Sequence, residues 1–212
     1  APRPDWLSGR QVFFHRGDYR STVQNPLVRL TRNEYSRRLY DRLYDLGIRI
    51  AKLDQYVRDL GTVPEPAEVA GVTIDCRRAG ELDRSEADAF VEPAPIDRVV
   101  TARVDGDLVG YCFLSHNRPV YVEALDSERL FDGAYLWRVF VDPDHRNRGI
   151  ATALVRRALR EAASRGADRA NALVAVDNLP SKRVFAANGF DPEKRVSYYH
   201  LFGFERRRTK QL

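Results

Sequence analysis

The residues best suited to chemistry lie in a short turn at positions 146–151, with the sequence RNRGIA. Gly149 lets the backbone approach a ligand closely. Amide groups at the N-terminus of a helix lack an intrahelical partner, and the helix dipole favours an anion there. The flanking arginines add charge that screens a phosphate. The sequence therefore predicts a phosphate-binding turn.

A strand and a helix are expected to hold this turn in place. Residues 136–141 form a β-branched and aromatic run that predicts a buried strand, and Pro143 cannot donate a hydrogen bond to a continuing sheet. From Thr152 onward, alanines and leucines recur at helical spacing, with arginines on the other face. The turn is thus predicted at a strand–helix junction.

A second motif lies at residues 178–190, NLPSKRVFAANGF. It follows another apolar run, residues 172–176, which predicts a strand. The apolar positions within the motif predict a short helix that Gly189 ends. Each motif alone is weakly specific, but their order and separation make the combination informative.

Together, residues 137–190 resemble the cofactor half of the GNAT superfamily of acyl-CoA N-acyltransferases. The resemblance implies acetyl-CoA as the acyl donor, without a metal. Residues 139–141 would pair with the pantetheine arm through their backbone, and the amides of 146–152 would hold the pyrophosphate. The implied cofactor-binding residues are Val139, Phe140, Val141, Arg146, Asn147, Arg148, Gly149, Ile150, Ala151, Thr152, Asn178, Ser181, Lys182 and Phe185.

The residues that would move protons are less clear. Acylation of an amine needs a base for the amine and a donor for the oxyanion. The resemblance implies a glutamate base on one of the two central strands, where this chain carries Tyr135, Arg138 and Leu173. Many members of the family carry a tyrosine that protonates the departing thiolate, and this sequence has Phe185 at that position. A phenyl ring cannot donate a proton.

Three other residues remain as catalytic candidates. Glu123 would face the cleft if residues 120–125 form a strand beside the cofactor strand, although residues 123–130 could equally be helical and the glutamate merely solvated. Tyr198 and Tyr199 are expected on the last strand and are similar to paired tyrosines of protein N-terminal acetyltransferases. Alternation lets only one of them face the site, and aromatic packing on the sheet is an equal alternative.

Composition narrows the class of protein. The chain has 212 residues, with 35 Lys and Arg against 30 Asp and Glu. The basic residues are spread along the sequence, so nucleic acid is not expected as a main partner. Residues 205–210 are predicted to form a basic tail with nonspecific attraction for polyanions. No apolar run is long enough to span a membrane, and a cytoplasmic location is expected. Cys76 and Cys112 have no metal-like spacing and predict free, buried thiols.

The pattern divides the chain near residue 66. Residues 1–66 are predicted to form an N-terminal extension with a helix at about 32–60, which Gly61 ends. Thr31 and Glu34 form a capping box, and an apolar seam then runs from Leu39 to Leu60. The helix is expected to pack on its own domain, with homodimerisation or a lid over the cleft as alternatives.

Residues 67–212 are predicted to form a GNAT-like domain. A strand is expected at 72–76, a helix at 83–91 and a hairpin from 98–104 and 108–115. The order of elements predicts an α/β (α+β) fold, with a mixed, mostly antiparallel sheet flanked by helices.

The function predicted from these observations is an N-acetyltransferase. It would move an acetyl group from acetyl-CoA to a primary amine by direct attack in a ternary complex. The acceptor is left open between a small molecule and a protein N-terminus or lysine. Phe185 and the missing glutamate motivate an alternative, a CoA-binding regulatory module without catalysis. A third hypothesis is a basic interaction protein that uses the fold as a scaffold.

Overall fold

A computed structural model describes residues 48–63, 65–82 and 93–212. The strands within these ranges are β1 Arg49–Asp59, β2 Thr73–Arg78, β3 Arg98–Val104, β4 Asp107–His116, β5 Val120–Val122, β6 Ser127–Arg129, β7 Ala134–Val141, β8 Arg169–Ala175, β9 Asp191–Leu201 and β10 Phe204–Gln211. The α-helices of the described residues are α1 Ile150–Ser164 and α2 Leu179–Ala187. Short 3₁₀ turns occur at Ala79–Glu81, Glu123–Leu125 and Pro143–His145.

Eight strands form one sheet in the order β10-β9-β1-β8-β7-β4-β3-β2, and β5 and β6 form a separate pair. Neighbours in the large sheet run antiparallel except β7 and β8, which run parallel. The predicted mixed, mostly antiparallel sheet with flanking helices is therefore confirmed. The predicted strand at 72–76 and the hairpin of 98–104 and 108–115 correspond to β2, β3 and β4. The helix predicted at 83–91 lies outside the described residues.

The N-terminal helix predicted at about 32–60 is wrong over its last part, where residues 49–59 form β1. This strand lies between β8 and β9, antiparallel to both. Both faces of this strand are covered by other elements. Leu53, Tyr56 and Val57 are therefore all buried, although neighbouring residues of a strand point to opposite faces. A strand buried on both faces can imitate a helical repeat. The rest of that helix, with its capping box, lies outside the described residues.

The predicted basic tail at 205–210 is instead part of β10, which pairs along its length with β9. All eight residues of β10 are exposed, and β10 is an edge strand of the sheet. Charged side chains are a common protection of such edges against pairing with other chains. Because β10 lacks the apolar alternation of a half-buried strand, the sequence pattern did not reveal it.

The two faces of the sheet are covered by different elements. Helix α1 buries Leu154, Val155 and Leu159 against the strands and forms the main core. Segment 120–131 packs on the other face, where Leu125 contacts a smaller cluster that includes Val196. Both cysteines are free, and Cys112 is buried while Cys76 is half-buried. None of the described helices combines the length and apolarity needed to cross a membrane.

Candidate active site

The central feature of the site is an opening between β7 and β8. These parallel strands pair only at Ala134 with Ala170 and at Tyr135 with Asn171. Strand β7 nevertheless continues to Val141 and β8 to Ala175. Beyond the paired positions, the facing backbone groups can bond an extended ligand, which would lie as an additional strand. Residues 139–141, predicted to hold the pantetheine arm, lie on this open part of β7.

A bulge in β7 lies beside the opening. Trp137 pairs with Phe113 and Phe140 pairs with Tyr111, so Arg138 and Val139 stand opposite Cys112 alone. Arg138 has φ of 53°, a left-handed conformation that is uncommon for a residue with a side chain. A bulge bends its strand and increases the local twist. It therefore helps to turn β7 away from β8.

The predicted phosphate turn has the expected strand–turn–helix geometry. After β7, the side chain of Asp142 accepts a hydrogen bond from the Asp144 amide at 2.9 Å and fixes the 3₁₀ turn. Arg146 Nε donates to the Val141 carbonyl at 3.0 Å, which fastens the turn to the strand end. Gly149, with φ of 84°, then precedes the first residue of α1.

The N-terminus of α1 is available to an anion. Gly149 offers no side chain to cap the helix, and no described side chain makes a capping hydrogen bond there. Residues 146–149 are exposed, Ile150 is buried, and Ala151 and Thr152 are half-buried. The turn lies at the carboxyl end of β7, where β7 is no longer paired with β8. A ligand with a phosphate at the turn and an extended arm along β7 fits this arrangement.

The residues of the second motif have defined structural contacts. Asn178 Oδ1 accepts a hydrogen bond from the Ser181 amide at 3.1 Å and caps α2. Lys182 Nζ lies 2.8 Å from Asp54 Oδ2, and Arg195 Nε lies 2.6 Å from Asp54 Oδ1. Lys182, one of the implied cofactor-binding residues, is thus held by the Asp54 carboxylate of β1.

Asp54 is almost completely buried, with 2% of its surface exposed. Burial alone would raise the pKa of this carboxyl group. Hydrogen bonds from Arg195 and Lys182, together with their charges, outweigh that effect and keep the pKa below its usual value. Asp54 therefore remains ionised and joins β1, β9 and α2.

Phe185 belongs to the core. It is 4% exposed, and its ring centroid lies 6.4 Å from that of Tyr56 and 5.1 Å from that of Phe190. Tyr56 is itself buried on β1 and pairs with Ala172, on the face of the sheet that α1 covers. A phenol therefore lies next to the phenyl ring of Phe185.

A second buried tyrosine lies on the opposite face. Tyr135 occupies the last β7 position paired with β8, and its ring stacks on Phe131 with centroids 3.9 Å apart. Burial raises the pKa of Tyr135, so its phenol stays protonated at neutral pH. No described residue forms a hydrogen bond with the hydroxyl of Tyr56 or Tyr135.

The structure does not bring the three predicted catalytic residues together. Glu123 is exposed in a 3₁₀ turn, and the interpretation of its segment as a strand beside β7 is wrong, because β4 and β8 are the neighbours of β7. Tyr198 and Tyr199 lie on β9, which β1 separates from β8. The expectation that both tyrosines lie on the last strand is wrong, because β10 follows β9 in the chain.

Tyr198 is held in a polar cluster away from the opening. It is 2% exposed, its hydroxyl lies 3.5 Å from Asp126 Oδ2, and the guanidinium of Arg207 lies 5.2 Å from its ring centroid. Burial and the Asp126 charge raise the pKa of Tyr198. Asp126 also accepts hydrogen bonds from Tyr121 and Arg49. Tyr199 is half-buried on the other face of β9.

Sequence reasoning missed a cavity of about 280 Å³ on the face opposite α1. Its lining includes Gln55, Arg129, Phe131, Leu173 and Lys194. These residues come from β1, β6, β8, β9 and the loop after β6, so no local pattern joins them. In addition, the helix predicted at about 32–60 includes Gln55, and a helix would not place this residue in a sheet beside Leu173 and Lys194.

The opening between β7 and β8 and the turn before α1 together define a protein that can hold an extended, phosphate-bearing cofactor between two separating strands. Comparison with protein families agrees: the model of the Acetyltransferase (GNAT) family matches residues 68–190, more than half of the chain. The chain therefore belongs to the GNAT family. No curated protein matches the sequence.

Solved structures with the same fold include three GNAT proteins. An acetyltransferase of the GNAT family from Novosphingobium aromaticivorans is 21% identical with a TM-score of 0.51, over 73% of this chain and 65% of that one. GCN5-related N-acetyltransferases from Kribbella flavida and Sphaerobacter thermophilus are 19% and 17% identical, with TM-scores of 0.51 and 0.50. These matches cover 79% and 82% of this chain, and 66% and 56% of those proteins. The chain thus spans less than two thirds of each.

Proposed function

We propose that the chain transfers an acetyl group from acetyl-CoA to a primary amine by direct attack in a ternary complex. The opening between β7 and β8 is the observation that carries this proposal. It ends at the uncapped N-terminus of α1, so a single extended ligand can reach both features. Membership of the GNAT family supports acetyl-CoA as that ligand.

The cofactor would be held mainly by the backbone. The pyrophosphate would lie against the amides of residues 149–152, where the helix dipole favours an anion. The arginines of the turn would add charge-assisted contacts. The pantetheine arm would follow the open part of β7 and place the thioester near the point where β7 and β8 begin to separate.

The reaction requires two proton movements. The amine must lose a proton as its nitrogen bonds to the acetyl carbon, and the bond from that carbon to sulfur then breaks. The coenzyme leaves as a thiolate that takes up a proton. Tyr56 and Tyr135 flank the separating strands on opposite faces. Each can supply the phenol that Phe185 lacks, while water can receive the amine proton.

Thiol release in the presence of a panel of amines tests the activity. We expect amine-dependent turnover and a loss of about a hundredfold or more in kcat for one of Tyr56→Phe and Tyr135→Phe, within the usual range of an acid–base contribution. Tyr199→Phe, which changes a half-buried tyrosine on β9, is the matched control and should retain activity. Equal activity in all three variants would assign protonation of the thiolate to water.

The alternative of a regulatory module makes a different prediction. Such a module would bind acetyl-CoA tightly and release no thiol with any amine. An interaction protein that uses the fold as a scaffold would show no stabilisation by acetyl-CoA. By contrast, ligand at a hundredfold excess over Kd should add about 2.7 kcal/mol to the free energy of unfolding.

A further inference from the structure

The cavity on the face opposite α1 begins beside the opening. Asn171, which lines it, is the last β8 residue paired with β7. Leu173 is the next β8 residue on the same face, and it pairs with Gln55 of β1, which pairs in turn with Lys194 of β9. The cavity thus extends from the opening across two strand spacings, about 10 Å.

Two cationic side chains of this cavity have no partner among the described residues. Arg169 also lines it, but its guanidinium pairs with Asp132 at 3.3 Å and Glu193 at 2.9 Å. The side chains of Arg129 and Lys194 form no ion pair or hydrogen bond with any described residue, and Arg129 Nε is buried without an acceptor there. A buried N–H group without an acceptor is costly. An anionic ligand would remove that cost.

The floor of the cavity presents an oriented acceptor. Asn171 Nδ2 donates to the carbonyls of Asp132 and Ala134 at 2.6 and 3.2 Å, so its Oδ1 must be the atom that accepts from Gln55 Nε2 at 2.8 Å. This fixes the Gln55 amide and leaves Oε1 as an acceptor. Gln55 is 8% exposed and lines the cavity next to Leu173. An amine N–H can donate to that oxygen.

Part of the remaining wall is apolar and includes Leu125, Phe131, Leu173 and Val196, while Thr209 and the Arg169-paired carboxylates of Asp132 and Glu193 complete the polar part. A hydrocarbon group would be favourably buried against the apolar part. The volume of about 280 Å³ is just below the usual range for small-molecule sites, which begins at about 300 Å³. The cavity therefore suits a small molecule with an amine, an apolar body and an anionic group.

We propose that this cavity holds the acceptor of the acetyl group, and that the acceptor is a small amino acid with an apolar side chain. This proposal rests on the acetyl transfer proposed above. The acceptor's carboxylate lies between Arg129 and Lys194, whose charges it satisfies. Its amine lies towards Gln55, which is one strand closer to the opening than Lys194 is. Arg129, Lys194 and Gln55 thereby determine which amines react.

A set of three matched amines tests the proposal in the whole chain with saturating acetyl-CoA. Leucine carries the carboxylate, leucinamide replaces it by an uncharged amide, and 3-methylbutylamine lacks it. We expect kcat/KM for leucine to exceed both others by about tenfold or more, the effect of one charge-assisted contact. Equal values for the three amines, or faster reaction of 3-methylbutylamine, would overturn the proposal.

Variants assign the effect to the two cations. Arg129→Gln and Lys194→Gln should each lower kcat/KM for leucine by about tenfold and leave leucinamide unchanged. Arg208→Gln, on exposed β10, is the matched control and should change neither. Unchanged affinity for acetyl-CoA checks that each variant is folded. Equal losses for leucine and leucinamide would refute the role of the cations.

The outcomes also separate this inference from the function on which it rests. Turnover of uncharged amines without any preference for leucine would overturn the amino-acid acceptor and keep the acetyltransferase. Binding of acetyl-CoA without thiol release for any primary amine would overturn both.

Discussion

Substitutions of Gly149 provide the sharpest test of the cofactor site. One substitution changes only the backbone conformation, and another also adds a negative charge next to the proposed pyrophosphate. The Gly149 φ of 84° lies in the left-handed region, and an added Cβ would have only Val69 Cγ2 within 4 Å, at 3.8 Å. Gly149→Ala should therefore fit and cost about 1 kcal/mol of stability through backbone strain alone. Gly149→Asp adds a negative charge to the same position.

The charge sets the expected size of the effect. Two like charges 4 Å apart near a protein surface repel each other by about 4 kcal/mol. A carboxylate at position 149 next to a bound pyrophosphate should thus weaken acetyl-CoA binding by about a thousandfold. Gly149→Ala should weaken it far less. Isothermal titration calorimetry measures both values directly, and the difference between the variants isolates the charge.

Gly166 provides the matched control. Its φ is 79°, an added Cβ would have nothing within 4 Å, and it follows the C-terminus of α1. Gly166→Asp should carry a similar backbone cost and leave acetyl-CoA affinity unchanged. If Gly149→Asp binds acetyl-CoA as tightly as the wild type, the phosphate is not held by this turn. If both aspartate variants lose affinity equally, the effect comes from the fold.

Two further predictions concern the core around α2. Asp54→Asn should lower the free energy of unfolding by about 2 kcal/mol at neutral pH, because Lys182 and Arg195 lose their ionised partner while remaining partly solvated. The lowered pKa of Asp54 contributes stability that is present above the unfolded pKa of about 4 and is lost as the pH falls through the folded pKa. The free energies of unfolding of the two proteins, measured in urea, should therefore converge in acid. A difference that stays constant with pH would contradict the assignment. Phe185→Tyr should cost about 1–3 kcal/mol by burying a hydroxyl between Tyr56 and Phe190, without a gain in kcat. Faster thiol release with unchanged stability would show instead that position 185 reaches the thioester.

The donor side of the site could be predicted because its signals are local. A strand end, a proline, a glycine and the start of an amphipathic helix follow one another within residues 136–160. Each carries its own physical cause, and the structure places Pro143 and Gly149 as that order requires. The bulge at Arg138 had no comparable signal, because it depends on the register of β4 against β7.

The N-terminal strand could not be predicted for a different reason. Periodicity distinguishes helix from strand only when one face is polar. In β1, Asp54 and Tyr56 face α2 and the main core, while Leu53 and Gln55 face the smaller cluster and the cavity. Both faces are buried, so the alternation disappears. The apolar positions that remained matched a heptad by coincidence.

The proposed donor site and the proposed acceptor site differ in how much of each lies within the range that matches the family. The matched range, residues 68–190, contains the opening and the phosphate turn, which would hold the donor. Gln55 and Lys194 lie outside that range, on β1 and β9, and both line the cavity proposed for the acceptor. A one-residue slip of β1 would exchange Gln55 for Asp54 or Tyr56 on the cavity face. The register of β1 between β8 and β9 would thus determine which side chain meets the proposed acceptor, and this chain's own strand, more than the shared motif, would set the choice of amine.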